Sequence, residues 1–249
     1  MKMKHTLSFC FSIILFFWIG TDVAIAQDDT EQETSSDSIT VKEKYGLRFG
    51  VDTSKLIRTF LDDEYTGFEV VADYRLTKKL YIAGELGNET KDNITDFLDV
   101  TTTGSYLRAG IDYNLYQNWL DMDNMVYFGF RVGASTFNHT INSFNVYSTN
   151  QYWEPQFTSE GEIKKDGLSA IWSELVIGIK AELFNNLYMG LNVQLKALIS
   201  ETIPENFENI YIPGYQKTYD SSRLGSGYAY TLTYRLPLYK KDKVIVPIE

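Results

Sequence analysis

Side chains capable of acid–base or nucleophilic chemistry are sparse in this sequence. Of its two histidines, His5 lies in the amino-terminal segment and His139 stands within FNHT, residues 137–140. Ser135 and Ser143 are close to it in sequence, but acyl transfer needs a nucleophile within hydrogen-bond reach of an oriented base, and no motif frames these residues. We therefore expect His139 to be an ordinary loop histidine, and we predict no catalytic residue.

Acidic residues come closest to a metal-binding pattern. Asp92, Asp96 and Asp99 form one group, and Asp121 and Asp123 form another. Carboxylate oxygens suit Ca²⁺, but neither group has the glycine and the spacing of an EF-hand loop. Solvated acidic loops are the better interpretation, so we predict neither a metal nor a cofactor.

A larger set of charged residues shares a different pattern, because its members lie at alternate positions of segments whose other positions are apolar. Cations and anions are equal in number in this set, although the whole chain is acidic. Enclosed charges must be paired, and arginine, which outnumbers lysine here, suits enclosed ion pairs. We predict ion pairs among Arg48, Arg75, Arg108, Arg131, Lys180, Lys196 and Arg235 and, as anions, Asp52, Glu69, Asp73, Glu85, Asp112, Glu174 and Glu182.

Eight alternating segments carry these charges. A β-strand points successive side chains to opposite faces, so each segment has one apolar and one polar face. Each segment has close to the roughly ten residues that a tilted strand needs to cross a membrane. No convincing helix is predicted after residue 43. The predicted strands are residues 45–53, 66–76, 79–87, 104–115, 125–136, 170–183, 187–199 and 225–237.

Short and long connections alternate between the predicted strands. The links at residues 76–79 and 184–186 are tight and have ordinary turn residues, and residues 116–124 form a somewhat longer link. The other four links are long, above all residues 137–169 and 200–224. Short turns at one end and long loops at the other are typical of an outer-membrane barrel. We predict an all-β fold, an eight-stranded antiparallel up-and-down transmembrane β-barrel.

The alternation alone leaves open which face points outward. A soluble secreted barrel that binds an apolar ligand has the same period with its apolar face inside. The balanced charges favour a lipid-facing apolar surface, and so do glycines on the polar faces, which make room in a narrow lumen. Aromatic residues near strand ends also favour it, since they resemble the girdles at membrane interfaces. The predicted girdle residues are Tyr45, Tyr81, Tyr106, Tyr116, Trp119, Trp172, Tyr188 and Tyr239.

The amino terminus predicts export. Residues 1–26 combine a basic start, an apolar run and a small-x-small end, as in a cleaved secretory signal peptide, with an uncleaved anchor as the alternative. Residues 27–43 are acidic and rich in Ser and Thr, which predicts a disordered lead-in. The barrel is assigned to residues 44–239 and a short periplasmic tail to residues 240–249.

The charge of the exported chain excludes one class of partner. Without Lys2, Lys4 and Asp22, 21 basic and 32 acidic residues remain, a net charge of −11. Nucleic acid is therefore not an expected partner. We expect the chain in the outer membrane of a Gram-negative bacterium, in contact with its lipid.

The alternating strands, the layout of turns and loops and the acidic lead-in resemble the small outer-membrane barrels of the OmpA/OmpX type. Residues 67–89 (GFEVVADYRLTKKLYIAGELGNE) also resemble an uncharacterised family of small predicted outer-membrane proteins of Gram-negative bacteria. The resemblance brings no catalytic residue. Some eight-stranded barrels modify lipid A with a histidine, a serine and an acid, so a lipid A-modifying enzyme stays an alternative.

These observations predict a non-enzymatic barrel whose lumen is closed by charge pairs and is not a porin channel, because eight strands enclose only enough space for side chains. Its role is then structural or is carried by long extracellular loops that contact a partner, such as a larger outer-membrane protein complex. A soluble barrel that binds an apolar ligand is the other alternative. Aromatic residues are the loop recognition candidates: Tyr147, Tyr152, Trp153, Tyr211 and Tyr215.

Overall fold

Eight long strands dominate the computed structural model, which describes residues 39–116, 123–145, 158–218 and 222–245. All eight predicted strands are present, since each has the alternation that a strand with two different faces requires. The predicted signal peptide and residues 27–38 lie outside the described residues. The strands are β1 (Ile39–Asp52), β2 (Tyr65–Arg75), β3 (Leu80–Ile94), β4 (Leu98–Asn114), β5 (Met125–Asn145), β6 (Thr158–Phe184), β7 (Leu187–Glu201), the two-residue β8 (Tyr211–Ile212) and β9 (Gln216–Lys217), and β10 (Leu224–Ile245).

The eight long strands close into a ring in the order β1-β10-β7-β6-β5-β4-β3-β2. From β1 to β7, each strand pairs antiparallel with the next one along the chain, β10 pairs with β7, and β1 stands next to β10. Closure leaves the barrel without exposed strand edges around its wall. The predicted eight-stranded up-and-down barrel is confirmed.

The apolar side chains point outward and the polar side chains point into the lumen. In β7, Met189, Leu191 and Val193 are exposed, whereas Asn192 and Lys196 between and beside them are buried. A soluble barrel would have the reverse arrangement, because water favours a polar outer face. The outer surface of this barrel is the surface of a transmembrane β-barrel.

The outward face changes from apolar to polar along a row of directly paired residues. Asn88, Ser105, Thr136 and Ser169 are exposed and stand opposite one another on β3, β4, β5 and β6. We call the end beyond this row the loop end and the opposite end, where the short turns lie, the turn end. The row marks where the lipid-facing surface of these four strands stops.

Several strands are longer than predicted and continue beyond this row. The predicted long links at residues 88–103 and 137–169 are mostly strand, because β3 pairs with β4, and β4 with β5, as far as Ile94 and Phe144. At the turn end, residues 39–43 and 240–245 continue β1 and β10, although the sequence assigned them to the lead-in and the tail. Backbone pairing therefore extends past the apolar segments on which the prediction depended.

A helix follows β1, so the expectation of no helix is wrong. Helix α1 (Thr53–Leu61) begins after the N-cap Asp52, whose Oδ1 accepts hydrogen bonds from Ser54 N at 2.9 Å and Ser54 Oγ at 2.7 Å. Such a cap satisfies free N–H groups in the first turn. A local signal for this helix existed, because the N-cap residue Asp52 precedes it and Ile57, Phe60 and Leu61 follow at helical spacing. Among the described residues, no helix has the length and apolar character needed to cross a bilayer.

Most predicted girdle aromatics lie inside the barrel, so that prediction is wrong for five of them. They share strand parity with inward residues, and two of them cover glycines: a Cβ on Gly87 or Gly133 would lie 2.3 Å from the ring of Tyr106 or Trp172. Tyr116 is exposed, and Trp119 and the Tyr239 side chain lie outside what the structure describes. The buried five are Tyr45, Tyr81, Tyr106, Trp172 and Tyr188.

Candidate functional site

Charged side chains from all eight barrel strands meet in the lumen. The structure places each of the fourteen predicted residues inside the barrel, buried or nearly so. Thirteen of them form ion pairs with partners in the lumen, and Asp52 has a different role. The thirteen are Arg48, Glu69, Asp73, Arg75, Glu85, Arg108, Asp112, Arg131, Glu174, Lys180, Glu182, Lys196 and Arg235.

Asp73 organises the half of the lumen nearer the turn end. Its Oδ1 accepts a hydrogen bond from Arg48 Nε at 2.6 Å, and its Oδ2 accepts one from Lys180 Nζ at 2.5 Å. In the ring, three strands separate β2 from β6 on either side, so the pair of Asp73 and Lys180 reaches across the lumen to the opposite wall. Side-chain contacts therefore span the lumen at this level.

The turn end itself is held by a carboxylate that the sequence assigned to an acidic loop. Asp123 pairs with Arg235, and its Oδ1 lies 3.7 Å from Arg75 Nη1. Glu182 Oε1 lies 3.4 Å from Arg235 Nη2. Asp123 therefore belongs to an enclosed network of ion pairs with the two arginines. Asp121 lies outside the described residues.

Two arginines connect the middle of the lumen to its loop-end half. Arg131 binds both oxygens of Asp112, at 2.6 and 3.0 Å, in a bidentate pair. Glu85 lies between Arg131 (3.4 Å) and Arg108 (2.7 Å). Bidentate and shared contacts of this kind fix side-chain geometry as well as neutralising charge.

Arg108 is the centre of the next layer. Its Nη2 donates to Glu69 at 2.6 Å, and its Nη1 lies 3.5 Å from Glu174 and donates to Gln194 at 3.0 Å. Glu174 also accepts a hydrogen bond from Trp172 Nε1 at 2.6 Å. These groups come from four strands, so this layer also spans the lumen.

Asp52 was predicted to form a lumen ion pair, but it caps helix α1. Besides the two groups of Ser54, its Oδ1 accepts the backbone N–H of Tyr230 at 3.2 Å. A carboxylate at a helix N-terminus is stabilised by backbone N–H groups and the helix dipole, so it needs no cationic side chain. This role was missed because the helix itself was not predicted.

Glu89, which the sequence analysis missed, is the most heavily coordinated carboxylate at the loop end. It pairs with Lys55 of α1 and accepts hydrogen bonds from Tyr65 Oη (3.0 Å), Tyr211 Oη (2.7 Å) and Gly214 N (3.0 Å). These donors come from the helix, a strand and the loop after β7. We call Lys55, Tyr65, Glu69, Glu89 and Tyr211 the mouth cluster.

A sequence signal existed for part of the mouth cluster. Glu89 has the same parity as Glu85 and therefore the same inward direction, but the predicted third strand ended at residue 87. Lys55 stood in a predicted loop, and nothing in its surroundings indicated that it enters the barrel. Its side chain is buried, with Nζ 3.6 Å from Glu69 and 5.3 Å from the centre of the Tyr106 ring.

The described part of the loop between β7 and β10, residues 202–218, folds into the mouth of the barrel; we call it the plug. Ile212 and Tyr215 are buried, with the Tyr215 ring 6.0 Å from that of Trp172. Lys196 Nζ donates to Gly214 O at 2.6 Å. Gly214 is suited to this close approach, because it has a positive φ of 81° and a Cβ would lie 2.5 Å from Tyr106.

Two of the five predicted recognition residues belong to the plug, and the prediction that they are on the surface is wrong. Tyr211 and Tyr215 are buried inside the barrel mouth and are not available to a partner from the outside. Their rings fill apolar space and their hydroxyls donate to Glu89 and to Arg223 O. Tyr147, Tyr152 and Trp153, the other three candidates, lie outside the described residues.

His139 is buried in the sheet beyond the polar row and binds the plug. Its Nδ1 is 2.8 Å from Thr102 Oγ1, and its Nε2 is 3.1 Å from Asn209 Oδ1. The Asn209 amide nitrogen donates to Glu201 Oε2 and Thr202 O, so its oxygen faces the histidine and Nε2 carries the proton. The ring lies between Phe137 and Phe207, at 5.3 and 5.6 Å.

The line of Thr102, His139 and Asn209 has the order of a nucleophile, a base and an orienting group. All three side chains are buried, however, and Ser135, the predicted neighbour, donates to Ser105 O. The arrangement holds the plug to the sheet. Burial lowers the pKa of His139, which keeps the ring neutral.

Tyr211 of the plug is also held in one protonation state. Burial, and then the Glu89 carboxylate, raise the pKa of Tyr211 well above its usual value, so its hydroxyl remains a donor. Within the described ranges, no group of three or more His, Cys, Asp or Glu side chains is arranged to hold a metal ion.

Sequence comparison assigns the chain to a family. The family model of DUF6048, described as a domain of unknown function, matches residues 6–241, which is nearly the whole chain. The chain belongs to this family. No protein in the curated comparison matches it significantly in sequence.

Two solved structures are similar to the DUF6048 protein over most of its length. Neisserial surface protein A is 9% identical, and the match covers 79% of this chain and 96% of that one with a TM-score of 0.40. Ail, the attachment invasion locus protein of Yersinia pestis, is 11% identical, with 82% and 100% covered and a TM-score of 0.38. At these TM-scores the likeness carries no information about the role of this chain.

Proposed function

We propose that this protein is a closed, non-enzymatic barrel of a Gram-negative outer membrane, which serves as a structural element or contacts a partner through its loop end. The observation that carries the proposal is the set of charge pairs that span the lumen inside an apolar outer wall. Charge pairs cross the lumen at several levels and the plug covers its mouth. Such a barrel offers its outer surface to lipid and its loop end to other molecules.

The lipid-facing surface supports membrane insertion. Large apolar side chains are exposed on every one of the eight long strands, among them Phe49, Phe68, Leu107, Ile177 and Leu232. Water would penalise such a surface by about 25 cal/mol for each Å² of apolar area, whereas a hydrocarbon environment removes that penalty. The soluble ligand-binding barrel, with its apolar face inside, does not fit this arrangement.

The filled lumen supports a closed barrel and disfavours a porin. A diffusion channel needs a continuous aqueous passage, but Asp73 and Lys180 join opposite walls, and Arg108 reaches Glu69 and Gln194. Eight strands leave no space beside such side chains for a wide pore. The ion pairs therefore serve to hold the wall together.

The loop-end sheet supports contact with a partner, such as a larger outer-membrane complex. The last β7 residue, Glu201, pairs with Ala170, so β6 continues past it from Leu168 back to Thr158. Six of the seven residues 161–167 of this projection (GEIKKDG) are exposed, and Lys165 is half-buried. An exposed strand can accept a strand from another chain, and its charged residues discourage self-association.

The enzyme alternative rests on His139 alone among the described side chains. Its burial under the plug gives a bulky lipid substrate no direct contact with the ring. We therefore expect the lipid A mass profile of cells to be the same with the native protein, with His139→Ala and after deletion of the gene. A changed profile in both altered strains would favour the enzyme.

Two measurements test the closed membrane barrel. In isolated outer membranes, the protein should migrate differently on a detergent gel before and after boiling, because a closed barrel resists detergent until heated. Reconstituted in a planar bilayer, it should give no stable conductance steps. Recovery in a soluble fraction would contradict the membrane assignment, and steady ion conductance would contradict the closed lumen.

A third measurement tests the loop-end contact. A photo-reactive residue at Ile163 on the β6 projection should cross-link to one defined membrane protein, and the same residue at Leu191 on the barrel wall should cross-link only to lipid. Cross-links of Ile163 to lipid and water alone would leave a structural role as the better assignment.

A further inference from the structure

Helix α1 occupies a place in the barrel wall between β2 and β10. The register of β1 with β2 ends at Val51 opposite Val70, while β2 continues beyond this point to Tyr65. Next to β10, the Asp52 carboxylate accepts a hydrogen bond from Tyr230 N at 3.2 Å. The Thr53 hydroxyl donates to Tyr230 O at 2.8 Å. Above these contacts α1 takes over the position of β1.

The helix is attached to β2 by a side chain that replaces the strand ladder. Thr59 Oγ1 accepts a hydrogen bond from Gly67 N at 2.9 Å and lies 3.2 Å from Gly67 O. The guanidinium of Arg58 stands 4.0 Å from the centre of the Tyr65 ring, and Tyr65 N donates to Asp62 O at 3.0 Å. This part of the wall is therefore closed by side chains, whereas the remainder is closed mainly by paired backbones.

Like the strands, α1 has a polar face toward the lumen and an apolar face toward the outside. Lys55 points into the lumen and reaches Glu89 and Glu69. On the other side, Ile57 is 53% exposed, Phe60 is 85% exposed and Leu61 is 82% exposed. A surface helix of a soluble domain has its apolar face inward and its polar face outward, so α1 is reversed relative to that rule.

The exposed face of α1 continues an apolar surface that already faces lipid. On β2, Val70 is exposed on the lipid-facing side of the polar row, and Phe68 is exposed opposite Asn88 of that row, so α1 lies at the upper edge of the lipid-facing surface. On β10, Tyr228 and Tyr230 are exposed, with ring centres 5.8 Å apart. The helix lies between these two strands. An apolar patch with lipid-facing side chains on both sides is in contact with the same bilayer hydrocarbon as those side chains.

We propose that α1 is a membrane-embedded part of the wall and that Ile57, Phe60 and Leu61 bind the acyl chains of the surrounding bilayer. The proposal rests on the membrane location given above and adds to it a lipid-contacting helix. In this arrangement α1 closes the wall between β2 and β10 where β1 has ended. Lys55 joins the helix to Glu89 and Glu69 inside the barrel. The partner of the helix is thus hydrocarbon, with the polar contacts turned inward.

The test uses single cysteines labelled with a nitroxide in the full protein, reconstituted in phospholipid vesicles. The only native cysteine, Cys10, lies in the predicted signal peptide. Phe60→Cys and Leu61→Cys report on α1. Leu191→Cys on the outer wall of β7 is the lipid control, and Lys164→Cys on the exposed β6 projection is the water control. Each label is measured for collisions with oxygen, which dissolves in lipid, and with a water-soluble nickel chelate.

Labels at positions 60 and 61 should match the Leu191→Cys label, with frequent oxygen collisions and loss of nearly all nickel collisions relative to Lys164→Cys. Nickel collisions as frequent as at Lys164→Cys would overturn the proposal, because α1 would then face water. Protection from both reagents would also overturn it, since protein would then cover the helix. If Leu191→Cys itself collides with nickel, the membrane assignment fails, so the two failures are distinguishable.

Discussion

Near the turn end, Asp73 is held by Arg48 and Lys180, and all three residues stand on regular barrel strands. At the loop end, Glu89 is also buried, but its donors come from a helix, a strand and the plug. Both carboxylates are fully enclosed. They differ in whether closure of the barrel alone brings their partners together.

This difference predicts different responses to perturbation. Contacts between barrel strands form together with the backbone ladder, so their loss affects the whole barrel. Ordering the plug and α1 has a separate conformational-entropy cost, so these segments can detach while the strands remain paired. The turn-end half should therefore control global stability, and the loop-end half should control local opening.

The largest effect is expected from Asp73→Ala. It leaves Arg48 and Lys180 buried near each other without their shared carboxylate, and loss of one partner of a buried pair costs about 3 to 5 kcal/mol. Urea unfolding of the reconstituted barrel, followed by tryptophan fluorescence, measures this change. Glu64→Ala, at an exposed ion pair with Lys91, is the control and should cost about 0 to 1 kcal/mol. Equal effects of the two variants would remove the special role of the turn-end pair.

A charge on the outer wall should have the next largest effect. Leu191→Arg places a guanidinium in the lipid-facing surface and should destabilise the barrel by about 2 to 4 kcal/mol if the position lies near the bilayer midplane. The same unfolding assay applies, with Lys164→Arg on the exposed projection as a neutral control. A near-neutral Leu191→Arg would contradict the outward assignment of the apolar face.

Glu89→Ala should open the mouth with a smaller global cost. The variant leaves Tyr65, Tyr211 and Gly214 without their common acceptor, while Lys55 keeps Glu69 at 3.6 Å. Detachment of the plug returns these groups to water, so the global cost should stay below the roughly 3 to 5 kcal/mol expected where a buried charge loses its partner without such relief. We expect faster hydrogen exchange and protease cleavage within residues 202–218, while the heat-dependent gel shift is retained. A variant that loses the gel shift would show that the mouth and the strands unfold together.

The smallest effect is a pH dependence of the plug through His139. Because burial lowers its pKa in the folded protein, the unfolded segment takes up the proton more readily. The stability of the plug should be full above the usual histidine pKa of about 6.5 and should fall below it. Hydrogen exchange of residues 202–218 at two pH values spanning this range measures the loss. His139→Gln should abolish the difference, and an unchanged difference would assign it to other groups.

The strands were predicted well from the sequence, but the alternation rule was applied to the charged residues and not to the aromatic ones. Tyr81 has the parity of Glu85, and Trp172 has the parity of Glu174, so both could have been placed in the lumen. They were assigned to interfacial girdles because of their position near strand ends. The parity of a strand decides the face of every residue on it, and this rule outweighs a compositional preference.

Other features had no local signal. Lys55 and Tyr211 stand in segments predicted as loops, and their burial depends on Glu89, which lies 34 and 122 residues away in sequence. Contacts of this kind depend on where distant segments fold, which residue types and spacing do not encode one by one.

What the sequence by itself determined is the barrel: eight alternating segments, their two faces and the presence of balanced charges on the inner one. Side-chain alternation is a local property of the strand backbone, so it is legible without the fold. Only the tertiary structure decided which charges meet, that the plug fills the mouth and that a helix completes the wall. Closure brings opposite strands together, and those encounters arise from the geometry of the ring and from loops that fold back into it.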